Sequence, residues 1–424
     1  MILRRKLLRD MRRRRGQFAA VVLTIFLGIV LFGASYDAFL NLKASYQSLF
    51  DDLRFAHVTT VGGDTQAIAD EVAARPEVVA VTTRTVADIP FRLGGNHKLL
   101  GRVVGLPAGS QPEVDQVMVL RGTYLDPARP EGVLVEQHMS NRFGLEPGSS
   151  FEVLGPQGWT QVRVAGVVAS PEYIWPARSR QDILTSTDDF GVVFAGAGLL
   201  ETLPNTAAHR EVLAFFRPGS DGTASEAVVR DIALRHEAVD VYTRAEQPSN
   251  AALQEDVQGF GDLSLMFPLL FLGAAGMATY VLLTRMVYSQ RAQIGLLLAN
   301  GFRRRTVFRH YLAYGLAAGL AGAVPAVVAG ALLARIITGF YTAAISVPVT
   351  VVRLHPETLL AGVLFGLVAG AVSALSPALL ASRTTPAEAM RGSKPPAGPG
   401  EASSRSWCLP CAGCLPAGKW CCAA

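Results

Sequence analysis

Four stretches of this chain run without a charged side chain: 16–36, 263–284, 311–334 and 358–382. An α-helix rises about 1.5 Å per residue and the hydrocarbon core is about 30 Å thick, so roughly 20 apolar residues cross it. Inside lipid every backbone N–H and C=O must be paired within the segment, which restricts single spans to helices. The expectation is therefore a membrane protein with four transmembrane α-helices, at 16–36, 263–284, 311–335 and 358–382, and everything else is placed by how these are connected. With half of its 424 residues hydrophobic and 17% charged, the chain is apolar enough for a membrane protein that carries a soluble part.

The connections differ in character. Residues 1–15 hold eight Lys and Arg, residues 285–309 hold six and residues 383–394 hold three, whereas 336–357 hold Arg353 alone. Positive charge collects on the cytoplasmic side, which puts both termini in the cytoplasm. A basic flank before an apolar run also fits a signal peptide, with Gly33-Ala34-Ser35 at the cleavage position. The run is longer than a signal core, and an anchored first span is the expectation. The net charge of +5 lies beside apolar segments rather than over a globular face. It suits a membrane surface and argues against nucleic acid.

Residues 37–262 form the long extracytoplasmic connection between the first and second spans. Short apolar runs at 57–61, 78–82, 132–135, 150–154 and 161–168 read as strands, separated by turn residues at Gly62-Gly63, Gly94-Gly95-Asn96, Pro147-Gly148 and Gly155-Pro156. Thr65–Ala74 and Ala224–Arg235 read as helices. An α+β domain follows, large enough to bury its own core. Residues 336–357 are taken as an outer loop, and 244–262 as a polar return to the membrane.

Residues 285–310 form a hairpin between the second and third spans. Gln293, Ile294, Leu297, Leu298 and Gly301 recur at three- and four-residue spacing and predict an apolar helical stripe. Arg291 and Arg303, Arg304 and Arg305 would hold that helix near anionic headgroups, with the stripe offered to a soluble partner's groove.

Reaction chemistry is hard to find. No two of the seven histidines have metal-ligand spacing, and no Gly-x-Ser-x-Gly elbow is present. The nearest approach to a phosphate loop, Gly413 to Gly418-Lys419, has Trp420 in place of the hydroxyl and no strand before it. The expectation is no enzyme activity, no metal and no cofactor in this chain. All five cysteines lie at Cys408, Cys411, Cys414, Cys421 and Cys422, after the Pro/Gly-rich 395–400. That tail reads as disordered from 393, with S-palmitoylation or a thiolate metal cluster as the other readings.

These features together resemble the FtsX/MacB-type permeases of ABC transporters over residues 1–392. Arg291-Ala-Gln-Ile-Gly295-Leu-Leu-Leu-Ala-Asn-Gly301 is similar to the family's Arg-x-Glu-Ile-Gly-x-x-x-Ala-x-Gly coupling segment, with Gln293 where Glu is usual. Pro377 and Arg383-Thr-Thr-Pro386-Ala-Glu-Ala-Met-Arg391 are similar to its closing motif, and 132–148 with 162–168 to its periplasmic core domain. The resemblance implies a permease subunit docked through Arg291, Gln293, Ile294, Gly295, Leu297, Leu298, Gly301 and Arg303–Arg305 to a cytoplasmic ABC ATPase of the MacB/LolD type. That partner would bind ATP and Mg. It also implies pairing with a second copy or a sister permease, contact with lipids, and a periplasmic adaptor as a further partner. The cargo classes it implies are lipoprotein, lipid, peptide or drug. Two alternatives stay open: a non-transporting FtsX-like signalling or scaffold subunit, and one half of a two-module permease.

Overall fold

The computed structural model describes residues 2–180, 182, 186–201 and 208–385. The Cys-rich tail and the closing motif beyond Thr385 lie outside them. A short basic helix α1 (Ile2–Arg13) leads into α2 (Arg15–Asp52), and the sheet domain is inserted between α2 and α7 (Pro248–Ser289). Then come α8 (Arg291–Ala299), α9 (Arg304–Ala344) and α10 (Pro356–Arg383). The helices α2, α7, α9 and α10 are long and apolar enough to cross a membrane, and the chain is a multi-pass membrane protein.

Three of these helices outrun the spans expected from sequence. The 38 residues of α2 measure about 57 Å, nearly twice the hydrocarbon thickness. Its second half, charged on one side, buries Leu42, Tyr46, Leu49 and Phe50 against Leu253 and Val257 of α7. The segment 244–262 is thus mostly helix rather than a polar return, and the two helices rise together as a stalk under the sheet. Helix α9 likewise continues to Ala344, so the loop before α10 is shorter than 336–357. That loop is strapped across α2: Ser45 Oγ accepts from the Val351 N–H at 2.9 Å and Asn41 Oδ1 from the Arg353 N–H at 2.9 Å.

Within the bundle α9 lies between α2 and α10, and small residues set the spacing. A Cβ at Gly315 would fall 2.1 Å from the Gly370 carbonyl oxygen, and one at Gly319 2.3 Å from that of Gly366. With no hydrophobic drive between helices in lipid, such backbone-to-backbone approach is what holds them. On the α2 side Gly330 faces Gly33, 3.3 Å from the Gly33 Cα to where a Gly330 Cβ would be.

The inserted domain is α+β. Its strands are β1 (Val58–Val61), β2 (Val78–Arg92), β3 (Lys98–Gly105), β4 (Met118–Gly122), β5 (Gly132–Glu136), β6 (Ser150–Gly155), β7 (Gly158–Ala169), β8 (Phe190–Ala195), β9 (Ala208–Phe216) and β10 (Asp240–Thr243). They form one sheet in the order β10-β1-β9-β2-β3-β8-β5-β7-β4, with β6 bridging β2 and β7. The pairs β3–β8 and β5–β7 are parallel and the rest antiparallel. Helices α3 (Thr65–Ala73) and α6 (Gly222–Arg235) cover one end, each begun by an aspartate, Asp64 or Asp221, whose side chain accepts a first-turn N–H. Ile68, Val72, Val229 and Ile232 pack there on Val58, Val212 and Phe216. The short helices α4 (Gln137–Phe143) and α5 (Ala197–Leu200) lie at the other end, over a core that includes Phe91, Val135, Met139 and Leu199.

Candidate functional site

The site is the end of the bundle away from the sheet, where α8 turns the chain between α7 and α9. Helix α8 is nine residues long, too short to be stable alone, so tertiary packing decides which side faces in. That side carries Ile294 and Gly295, both buried, with Leu298 partly buried. Ile294 shares a core with Met286, Val287, Val307 and Tyr311. The sequence reading put Ile294 and Leu298 on a stripe facing a partner; the structure turns them into the bundle. A three-four spacing reveals an apolar stripe but not which way it looks, and here α9 claims it.

The outward side consists of Ala292, Gln293, Leu296, Ala299, Asn300, Gly301 and Phe302, followed by Arg303, Arg304 and Arg305, all exposed. Leu296 stands out, 63% exposed; it was absent from the stripe read in sequence. Leu297 is half-buried at the edge of the two sides. The Arg291 guanidinium lies 4.3 Å from the Tyr288 ring centroid, a cation–π contact that holds it along the helix. Gly301 has a structural role. At φ 82° it follows the helix end, its N–H bonding the Leu298 carbonyl and the Phe302 N–H the Leu297 carbonyl, at 3.1 Å each. This is a Schellman stop, and its left-handed residue favours glycine.

Sequence reasoning missed what fixes α8 from behind. Gln290, the residue between α7 and α8, donates through Nε2 to Asp10 Oδ2 at 3.2 Å and accepts at Oε1 from the Tyr311 hydroxyl at 2.9 Å. The Tyr314 hydroxyl donates to the same Asp10 oxygen at 3.0 Å, and Arg14 Nη2 to Ser289 Oγ at 3.0 Å. Leu7 and Met11 of α1 pack against the same core, while Arg9, Arg12 and Arg13 point outward. The helix α1 is thus a clasp: apolar and acidic inward, basic outward. The available signal was Asp10, an isolated acid among eight bases.

At the opposite end several hydrogen bonds attach the sheet to the bundle. The Ala56 N–H, just after α2, donates to Asp115 Oδ1 at 2.7 Å. Gln247, which caps α7, donates through Nε2 to the Glu172 carbonyl at 2.9 Å. On α4, Gln137 Nε2 and the His138 ring reach the Ser346 and Ile345 carbonyls beyond α9 at 2.5 and 3.2 Å. The His138 Nδ1 sits 2.8 Å from Glu136 Oε1. Burial alone would lower this imidazole's pKa, but the Glu136 carboxylate and the Ile345 carbonyl outweigh it and raise it.

Residues 265–386 match the family model for the FtsX-like permease C-terminal domain. The matched part is similar to FtsX-like permease C-terminal domains. It takes in most of α7 with α8, α9 and α10, and so contains the outward side of α8. No curated protein matches the chain. Among solved structures, the extracellular domain of the noncanonic ABC-type transporter YknZ from Gram-positive bacteria is 13% identical, covering 43% of this chain and 89% of that one at a TM-score of 0.29. The periplasmic region of MacB from Actinobacillus actinomycetemcomitans is 9% identical, covering 50% and 98% at 0.29. A domain of a putative permease protein from Porphyromonas gingivalis is 13% identical, covering 44% and 82% at 0.25.

Proposed function

We propose that this chain is the permease subunit of an ABC-type transporter, driven by a separate cytoplasmic ATPase of the MacB/LolD type. ATP and Mg belong to that partner. The observation that carries the reading is the outward side of α8 in an FtsX-like domain: Gln293, Leu296 and Phe302 standing exposed beside Arg303–Arg305 at the end of the bundle away from the sheet. An exposed leucine and phenylalanine rimmed by polar groups make a small docking face. The arginine excess at this end supports a cytoplasmic placement for it, for α1 and for the C-terminus, with the sheet domain outside.

In this mechanism ATPase closure pushes α8, which is continuous with α7 through Gln290, and α7 carries the push along its 42 residues to the sheet domain. The partner permease is a second copy or a sister subunit. Cargo, whether lipoprotein, lipid, peptide or drug, is handled on the outer side rather than led through a polar channel. The large exposed side chains of α7 between 263 and 284, among them Leu269, Leu270 and Met277, are apolar and suit lipid or a neighbouring helix.

The test is purification of the tagged protein from its native membrane in mild detergent, with identification of what accompanies it. Recovery of a P-loop ATPase that is lost in Leu296→Asp supports the docking side. Equal recovery with both proteins refutes it.

A further inference from the structure

Inside the sheet domain, directly above the stalk, four ionisable side chains are buried together. Arg84 of β2 lies opposite Glu211 of β9 in the strand register, and its Nε reaches Glu211 Oε2 at 2.8 Å. The two Nη atoms take both oxygens of Glu172 at 2.6 Å each, and Nη1 lies 3.5 Å from Asp115 Oδ2. All four side chains are at most 6% exposed. Burial, then repulsion from Glu172, raises the Asp115 pKa well above its ordinary value against the pull of Arg84. The guanidinium occupies the centre that a bound cation would otherwise take.

Such a cluster is a costly way to fill a core, since well-packed apolar residues would serve stability as well or better. What it supplies is direction: a planar fork that fixes Glu172 and Glu211 by hydrogen bonds, with Asp115 beside it at ion-pair distance. The elements it joins matter more than its strength. Asp115 holds the Ala56 N–H that ends the α2 stalk, and the neighbouring Asp115 and Gln116 N–H groups bond the Arg54 and Leu53 carbonyls at 3.1 and 2.9 Å. Glu172 belongs to the turn whose carbonyl is held by Gln247, the cap of α7, and Ser249 Oγ of α7 accepts the Trp175 N–H at 2.9 Å. Helix α2 therefore ends on the Asp115 side chain and α7 on the backbone of the turn that carries Glu172, and both acids lie against the same guanidinium.

We propose that Arg84 is the positioning residue that joins the stalk to the sheet, taking α2 through Asp115 and α7 through Glu172. A shift of α2 against α7 moves the two carboxylates relative to Arg84 and so re-aims β2 and β9. The inference deepens the permease reading and rests on it for its purpose, but its geometry does not depend on an ATPase.

The test uses the full chain without nucleotide, its five tail cysteines replaced by serine. Spin labels at exposed Asp70 on α3 and either Lys43 on α2 or Gln258 on α7 report each stalk helix against the sheet by electron–electron double resonance. Asp115→Ala is expected to broaden the 43–70 distance distribution roughly twofold and leave 258–70 narrow. Gln247→Ala, which removes only a cap and its bond to Glu172, is expected to do the reverse, and Arg84→Met to broaden both. If Asp115→Ala does not fold, Gln247→Ala and Arg84→Met still decide. One-sided loosening with Gln247→Ala and two-sided loosening with Arg84→Met support the joint. Broadening of both distances by Gln247→Ala, or of neither by Arg84→Met, overturns it. Either result leaves the ATPase-recovery test of the permease reading untouched.

Discussion

The contact between α9 and α10 sets a sharp condition on one residue. In Gly319→Ala the new methyl would lie 2.3 Å from the Gly366 carbonyl oxygen and 3.0 Å from its carbon, both backbone atoms that no rotamer change can move. Ordinary contact is about 3.5 Å, so the helices must part by about 1 Å, and a gap of that size forfeits a quarter to a half of the attraction between facing atoms. Overpacking of this kind costs about 1–3 kcal/mol. The control is Gly273→Ala: Gly273 has open space where its Cβ would go. There alanine only improves helix propensity. Unfolding in mixed micelles of increasing dodecyl sulfate, followed by helicity, compares the two. The expected order is Gly319→Ala least stable, with Gly273→Ala equal to or above the parent. Equal stability of the two variants would refute the packing account of this interface.

Three further outcomes follow from the geometry. Asp10→Ala leaves Gln290 and Tyr314 without their shared acceptor, so protease cleavage near α8 should accelerate while the sheet domain keeps its resistance; an unchanged cleavage rate contradicts the clasp. Both acceptors around His138 call for two ring N–H donors, hence an imidazolium. Because its folded pKa is raised, its contribution is full below about pH 6.5 and fades as pH rises through the folded value, so the melting temperature should drop as pH rises above about 6.5, and His138→Gln should abolish that drop. His57 behaves oppositely. Burial, then the Arg244 charge, lowers its pKa to about 4, so stability should fall as pH drops from about 6.5 toward that value, and a melting temperature flat over this range contradicts its burial as a neutral ring.

Much of the architecture was legible because lipid imposes a length and forbids charge, a condition that 16–36, 263–284, 311–334 and 358–382 satisfy visibly. The sheet domain showed itself through short apolar runs and glycine turns. The stalk did not, because residues 37–52 and 248–262 mix buried Tyr46, Leu49, Leu253 and Val257 with exposed Lys43, Gln47 and Gln254. Such a pattern reads as neither a span nor a loop. Of the residues picked for the coupling surface, Gln293 and Arg303–Arg305 lie outward, Ile294 and Gly295 lie inward and Gly301 makes the turn. Ile294 carries the same spacing signal as Gln293, and only the position of α9 separates them. The clasp at Asp10 and the joint at Arg84 were beyond reach, since their partners are 280 and 127 residues away in the chain. No local pattern encodes such pairings.

The central claim, that α8 meets an ATPase with its outward side, is tested most directly by a photoreactive amino acid placed in turn at Leu296, Phe302 and the buried Ile294. In native membranes, Leu296 and Phe302 are expected to capture a P-loop ATPase on illumination, and Ile294 to yield only cross-links within the chain. Capture of an ATPase from Ile294 but not from Leu296 would contradict the orientation of α8, and capture from none of the three would contradict the claim itself.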